Sequence, residues 1–333
     1  NLTSYEVFNE EKRPFFLEGN TVLDYSIGSD MLYYSRRIGH EPSLYSDVVD
    51  NLDENQTVDV SANVPILSAL KLTGKTKKGL SVGVVQSFTA KESATIYSPA
   101  SKRDTVVEPF TNFMVGRLKQ DFNNGRTVLG GMVTSTRRTI NDTQLNFLPK
   151  SSTVGGIDFE HNWKNRKYFV NLKSFFSDIK GDKEAISDLQ LSSVHYYQRP
   201  DADHIEYNPD KTSLSGWGGY LSGGKRSGRF KAIGTLNWRS PGIDFNDLGY
   251  LYQADLIQEI ADFTYKVNKP KGIIRSYYAQ LTQQHEMSYG KETTLDRLNL
   301  HGFVHFNNLW MMHLNLRTNF NIFDSRELRG GPM

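Results

Sequence analysis

The sequence predicts an all-β fold, an antiparallel up-and-down transmembrane β-barrel, and three observations carry that prediction. Polar and apolar residues alternate strictly in segment after segment, turn-forming residues separate the segments, and many segments run about 10–12 residues. Strand side chains point alternately to opposite faces, so each segment has one apolar and one polar face. Length then separates two readings that share this pattern. A tilted strand crossing a bilayer needs about 9–11 residues, whereas soluble strands average about 5–6. A helical period is almost absent, and roughly a dozen strands can be counted.

In chain order, residues 1–64 form a mixed segment rich in Asp, Glu, Asn and Tyr, expected to be a lead-in or plug at the barrel mouth. Residues 65–333 are expected to be the barrel, incomplete, with further strands beyond the C-terminus. Leu80, Val82, Val84 and Phe88 alternate with Ser81, Gly83, Ser87 and Thr89. Tyr168, Val170, Leu172 and Phe176 alternate with Lys167, Asn171 and Lys173. Phe230, Ala232, Leu236 and Trp238 alternate with Lys231, Thr235, Asn237 and Arg239, and Leu298, Leu300, Val304 and Phe306 with Arg297, Asn299, His301 and His305. In the last strand Trp310, Met312, Leu314, Leu316, Phe320 and Ile322 share one parity.

Turns are expected at 76–79, 123–125, 164–166, 222–225 and 268–272, where Gly, Asn and Pro supply the backbone angles. If Phe306 and Trp310 share a face, Asn307, Asn308 and Leu309 form a three-residue turn that pairs Val304 with Met312 and His301 with Asn315. Longer connections are expected near 91–109, 139–150 and 179–189. The stretch 199–212 breaks the rhythm, being long where a short turn is due; an extra strand pair, or a loop folded into or over the lumen, would explain it.

Bulk composition narrows the function classes. The 333 residues carry a net charge of +2, which gives no argument for nucleic acid. With no Cys, disulfides, thiolate metal sites and thiol catalysis are excluded. The mean hydropathy of −0.52 is compatible with a membrane barrel, whose lipid face is hidden in the alternation. No apolar run reaches the length of a spanning helix.

Chemical motifs are sparse. Leu72-Thr73-Gly74-Lys75-Thr76 resembles the end of a phosphate loop, but Ala69 stands where the first Gly belongs, so Lys75 and Thr76 read as a hairpin turn. There is no G-x-S-x-G elbow, and His285-Glu286 is followed by no second His at the metalloprotease spacing. Asp201, Asp203 and His204 are the candidate metal ligands, weighed against an ion pair of Arg199 with Asp201 or Asp203; neither a metal nor any other cofactor is expected. Arg229, Lys231, Arg239, Arg297, His301, His305, His313 and Arg317 share the polar parity and are the candidate lumen-lining residues. Arg13, Glu18, Arg36 and Arg37 either line a pore or pin the lead-in by salt bridges.

Six stretches resemble a large uncharacterised family of Gram-negative cell-envelope proteins: Glu11 to Gly19, Tyr34 to Gly39, Leu72 to Thr76, Gln198 to Asp203, Asn246 to Tyr250, and Leu328 to Pro332. Members often carry a domain like carbohydrate-binding family 9, followed by a long β-barrel region of unknown function. The resemblance implies an outer-membrane location and strands beyond Met333. Some relatives are labelled membrane-associated hydrolases, yet the resemblance supplies no catalytic residue. The expectation is an outer-membrane transport channel or surface-assembly scaffold, with lipid as partner and glycan or another envelope protein as further partners. The alternatives are a membrane-associated hydrolase and a soluble β-sandwich binding module.

Overall fold

The computed structural model describes residues 7–99 and 101–332. The first six residues of the 1–64 segment, and Met333, lie outside the described residues. The chain is all-β and mostly antiparallel. Its main feature is one twelve-stranded sheet, built in chain order from β4 (Ile66–Lys75), β5 (Leu80–Thr89), β8 (Phe110–Phe122), β9 (Thr127–Thr139), β10 (Ser151–Trp163) and β11 (Tyr168–Lys180), then β12 (Ser213–Lys225), β13 (Phe230–Arg239), β14 (Leu256–Val267), β15 (Ile274–Met287), β16 (Thr293–Phe306) and β17 (Met311–Ile322). Every neighbour in the sheet is antiparallel, and the strands run 10–14 residues. The sheet is open: β4 and β17 are its two edges and do not pair with each other.

Small elements decorate this sheet. Before β4 come α1 (Pro14–Leu17), a hairpin of β1 (Ser26–Ile27) and β2 (Asp30–Met31), α2 (Tyr45–Asp50) and β3 (Thr57–Asp59). Pro14 opens α1 at its first position, where a missing N–H costs nothing. The expected connection 91–109 contains a hairpin, β6 (Glu92–Ser98) and β7 (Ser101–Glu108), which with β3 makes a three-stranded side sheet.

Six short turns of four to six residues fall at one end of the large sheet; at the other lie four longer connections and the five-residue turn 288–292. Asn123 and Asn124 both take positive φ, 50° and 57°, which Asn tolerates in a tight hairpin. At 307–309 the three-residue turn forms: the Phe306 N–H donates to the Trp310 carbonyl at 2.9 Å, and Leu309 takes φ 71°. Val304 pairs with Met312 and His301 with Asn315. Two expectations need correction. The turn expected at 222–225 lies inside β12, because Gly224 (φ 147°) serves an extended strand where a Cβ would strike the Ala232 carbonyl; the chain turns at 226–229. The separate connections expected at 179–189 and 199–212 are one, 181–212, which begins with α3 (Lys183–Leu191) and contains no strand. The alternation of short and long connections is therefore not broken there.

Register fixes which side chains share a face. On β8 the odd positions Phe113, Val115 and Arg117 are buried and the even positions Met114 and Leu118 are exposed. Through the pairings, the buried face continues as Met132, Val154, Phe175 and Arg239. The core forms where Phe16, Leu23, Tyr25, Ile27, Leu32 and Ile38, all preceding β4, pack on Val85, Phe113, Val115, Met132, Val154 and Phe175. The opposite, outer face keeps its apolar side chains exposed, with Leu72 62%, Ile157 64% and Phe176 54% accessible.

Candidate functional site

The chemistry-bearing side chains gather on the inner face, in a seam beneath the N-terminal segment. Arg117 on β8 and Asp158 on β10 form a two-pronged ion pair, with Nη2 donating to Oδ2 at 2.9 Å. The Tyr25 ring lies 5.1 Å from the Arg117 guanidinium, and its hydroxyl sits 2.8 and 3.0 Å from the Ile157 and Ser174 carbonyls. Lys173 donates to the Ser26 carbonyl. Glycine makes this approach feasible. A Cβ on Gly156 would stand 2.8 Å from the Tyr25 hydroxyl and 2.9 Å from Leu32 Cδ1.

Further along, Asp30 in the β1–β2 hairpin pairs with Arg239 of β13 and accepts from the Tyr252 N–H at 3.0 Å. Met31 and Tyr250 exchange both backbone hydrogen bonds, at 3.0 and 2.8 Å, and the Tyr34 N–H donates to the Leu248 carbonyl at 2.7 Å. Arg37 Nε donates to the Gly249 carbonyl at 3.1 Å, while Arg138 meets Asp247 at 2.7 Å. Arg13 donates to Glu11 and to the carbonyls of Ser35 (2.8 Å) and Ile38 (2.6 Å). Burial pushes the Glu11 carboxyl up, but hydrogen bonds from Arg13 and Ser35 outweigh it and hold the group down at about 2. Arg13 and Arg37 thus pin the segment, while Arg36 is exposed. On its far side lies a cleft of about 570 Å³ lined by Glu10, Glu11, Asp24, Tyr33 and Tyr34 among others.

The stretches quoted for the family resemblance converge here. Glu11 to Gly19, Tyr34 to Gly39 and Asn246 to Tyr250 share the seam, and Leu72 to Thr76 touches it where a Cβ on Gly19 would press against Thr73. The stretches Gln198 to Asp203 and Leu328 to Pro332 meet each other, with Gly330 packed against Gln198.

Of the candidate lumen residues, Arg239 is buried in the seam. Lys231, Arg297, His301 and His305 are half-buried on the same face of the sheet, beyond the core; His313 and Arg317 are exposed on β17, and Arg229 lies exposed in the 226–229 turn. The His301 and His313 rings stack at 6.4 Å, with Tyr278 edge-on to His301 at 5.3 Å. Arg297 Nε donates to Asn319 at 2.8 Å. The metal candidates separate: Arg199 Nε takes Asp201 at 3.2 Å, and His204 takes Asp255 at 2.9 Å. No group of three His, Asp or Glu is placed to hold a cation among the described residues.

Sequence reasoning missed a polar ladder beside the histidines. Asn237 donates to Gln258 at 2.7 Å, and Gln258 and Gln284 each donate to Glu286 at 2.6 Å. Thr282 and Gln280 both donate to Asp262, at 2.5 and 3.1 Å. The signal was present in the inner parity of β14 and β15, where Gln258, Asp262, Gln280, Thr282, Gln284 and Glu286 fall together. A serine, a histidine and an aspartate also meet without any motif. Ser192 lies 3.1 Å from His195 Nδ1, and Asp244 lies 3.9 Å from Nε2. His195 Nε2 donates instead to the Ile243 carbonyl at 3.0 Å, and the void alongside is about 10 Å³, too small for a substrate. Burial pulls the His195 imidazole down and pushes the Asp244 carboxyl up.

Residues 1–330 match the family described as a domain of unknown function, DUF5916. The chain belongs to that family. No curated protein and no solved structure matches it. As a DUF5916 domain it has an all-β architecture, and the family match takes in the whole twelve-stranded sheet from Ile66 to Ile322 together with the segment before it.

Proposed function

We propose that this DUF5916 domain is an outer-membrane β-barrel wall with its lumen occupied by the N-terminal segment, acting as a surface-assembly scaffold rather than an open channel. One observation carries the reading: the outer face is mostly apolar, exposed and bounded by two aromatic belts, its polar members including Gln86, Asn112 and Arg137 near the long connections and Glu259, Gln283 and His285 on β14 and β15. Near the short turns the belt comprises Phe122, Trp163, Tyr168, Phe230, Tyr265 and Tyr277; near the long connections it comprises Phe88, Phe110, Phe176, Trp217 and Trp238. On a single strand the belts are eight to twelve residues apart, as from Tyr168 to Phe176 or Phe110 to Phe122. At about 3.4 Å per residue and a tilt of about 40° that is roughly 20–31 Å, bracketing the ~25 Å apolar band of outer-membrane barrels. In water such a face would be an aggregation surface far larger than a soluble monomer tolerates.

A sheet in lipid cannot leave an edge unpaired, so β4 and β17 must be closed. They run antiparallel to each other, which permits closure directly or through an even number of added strands. The scaffold reading, in preference to the channel, rests on the N-terminal segment filling the concavity from β5 to β13. Glycan capture or a partner envelope protein would engage the exposed long-connection end. Fractionation of cells making the protein, with a gel of boiled and unboiled outer membrane, tests the reading. Recovery there with a faster unboiled band is the expected result; recovery in the soluble fraction without that shift overturns it.

A further inference from the structure

The net charge of +2 conceals a polar distribution of charge along the barrel axis. The first five short turns each carry Lys or Arg, and none carries Asp or Glu: 76–79, 123–126, 164–167, 226–229 and 268–273. At the opposite end, the connection 240–255 carries Asp244, Asp247 and Asp255 and no Lys or Arg. The basic residues also adjoin the aromatic belt. Lys164 and Lys167 lie 5.5 and 5.8 Å from the Tyr168 ring, and Lys225 lies 5.7 Å from the Phe230 ring. Among the described residues no salt bridge engages Lys77, Lys78, Lys164, Arg166, Lys167 or Arg229, although Arg226 stands 3.9 Å from Glu160.

We propose that this short-turn rim binds the phosphate groups of anionic phospholipids, as a basic collar at the headgroup level of the leaflet that the belt enters. The inference rests on the membrane reading above and adds orientation and lipid preference to it. The belt fixes the depth, because amphipathic rings sit where hydrocarbon gives way to headgroups. The Lys164, Lys167 and Lys225 ammonium groups stand over rings at the outer edge of the belt, and side chains of that length carry their cations from there to the level of the phosphates. Repetition around the rim, turn after turn, matches a lipid annulus better than a single docked macromolecule. Folded barrel ends with short turns also face the phospholipid leaflet, whose anionic members supply the complementary charge.

The chain's four Trp supply a built-in readout, with Trp163 at the basic rim and Trp217 in the other belt. Two single-Trp proteins, W217F/W238F/W310F and W163F/W238F/W310F, are folded into phosphatidylcholine vesicles holding equal amounts of tail-brominated phosphatidylcholine or tail-brominated phosphatidylglycerol. At Trp163 the brominated phosphatidylglycerol should quench more strongly, corresponding to roughly two- to five-fold local enrichment. Trp217 should show no preference. The preference should vanish in K164Q/R166Q/K167Q, and also in the unsubstituted rim when salt rises from about 0.05 M to about 0.5 M. Equal quenching of Trp163 by both lipids overturns the collar while leaving the barrel in the membrane, and is the result expected if the rim serves an acidic protein instead. Absence of quenching by either lipid at both Trp positions overturns the membrane reading itself, and the collar with it.

Discussion

The inner face of the sheet divides into two regions that solve the same problem differently. From β5 to β13 it is covered: the N-terminal segment lays Leu23, Tyr25 and Leu32 on it, and its charges are matched in pairs, Arg117 with Asp158 and Asp30 with Arg239. From β14 to β17 the N-terminal segment does not cover it; only the long-connection end is covered, where Leu256 and Leu295 are buried, and further along polar groups bond one another through Gln258, Glu286, Gln284 and the Asp262–Thr282 bond. Burial explains the contrast. A charge removed from water needs a partner in fixed geometry, whereas amides and hydroxyls facing solvent need only neighbours. The covered half is therefore locked, and the uncovered half is free to meet water, another strand or a ligand.

The sharpest way to break this comparison is to orphan one charge in the covered half. D30A leaves Arg239 buried and unpaired, and is expected to weaken docking of the N-terminal segment by about 3–5 kcal/mol, read as its proteolysis at lower urea; D30A/R239M should recover most of the loss. Next comes G156V, which drives a branched side chain into Tyr25 and Leu32 and should cost about 1–3 kcal/mol by the same readout.

Acid separates the parts by their titrating groups. The His195 imidazole is held below its ordinary 6.5, so the unfolded state takes up that proton first and the connection 181–212 weakens as pH falls below 6.5, an effect that the raised Asp244 carboxyl, which takes up its proton first in the folded state, opposes. Glu11, held at about 2 against an ordinary 4.5, stabilises the seam above pH 4.5, and that contribution is lost as pH falls toward 2. In D244N, where the opposition of Asp244 is removed, hydrogen exchange at stepped pH should show the connection 181–212 opening before the seam. The reverse order would contradict the assignment. The smallest effect is expected in the uncovered half. H301Q/H313Q removes a stacked pair that is half-buried at most, and should shift the unfolding free energy by no more than about 0.5 kcal/mol in a denaturant titration.

How far the sequence went follows the range of the forces involved. Alternation and turn chemistry are local, so the strand faces and the Val304–Met312 register were legible from the residues. The seam was not. Tyr34 meets Leu248 and Asp30 meets Arg239 across some two hundred residues, and no periodicity reports contacts of that kind. Gly223 and Gly224 misled in the opposite sense, since a glycine pair reads as a turn even where it serves an extended strand. The 181–212 connection was split in two because α3 has only nine residues, too few for a helical period to stand out. Arg239, Lys231, Arg297, His301, His305, His313 and Arg317 share one face of the sheet while Arg229 lies in the 226–229 turn, and their partition between a buried seam and an open face depends on where the N-terminal segment lies.

The central claim is that the two parities of one strand face different media, and a cysteine scan along β16 tests it most directly because the chain has no Cys of its own. Single cysteines at positions 297 to 305, in the outer-membrane fraction in which the proposed function expects the protein, are treated with a water-soluble maleimide. The odd positions, Arg297, Asn299, His301 and His305, should label, while the even positions, Leu298, Leu300 and Val304, should react only with a lipid-soluble reagent. Equal labelling of odd and even positions by the water-soluble reagent would contradict the account.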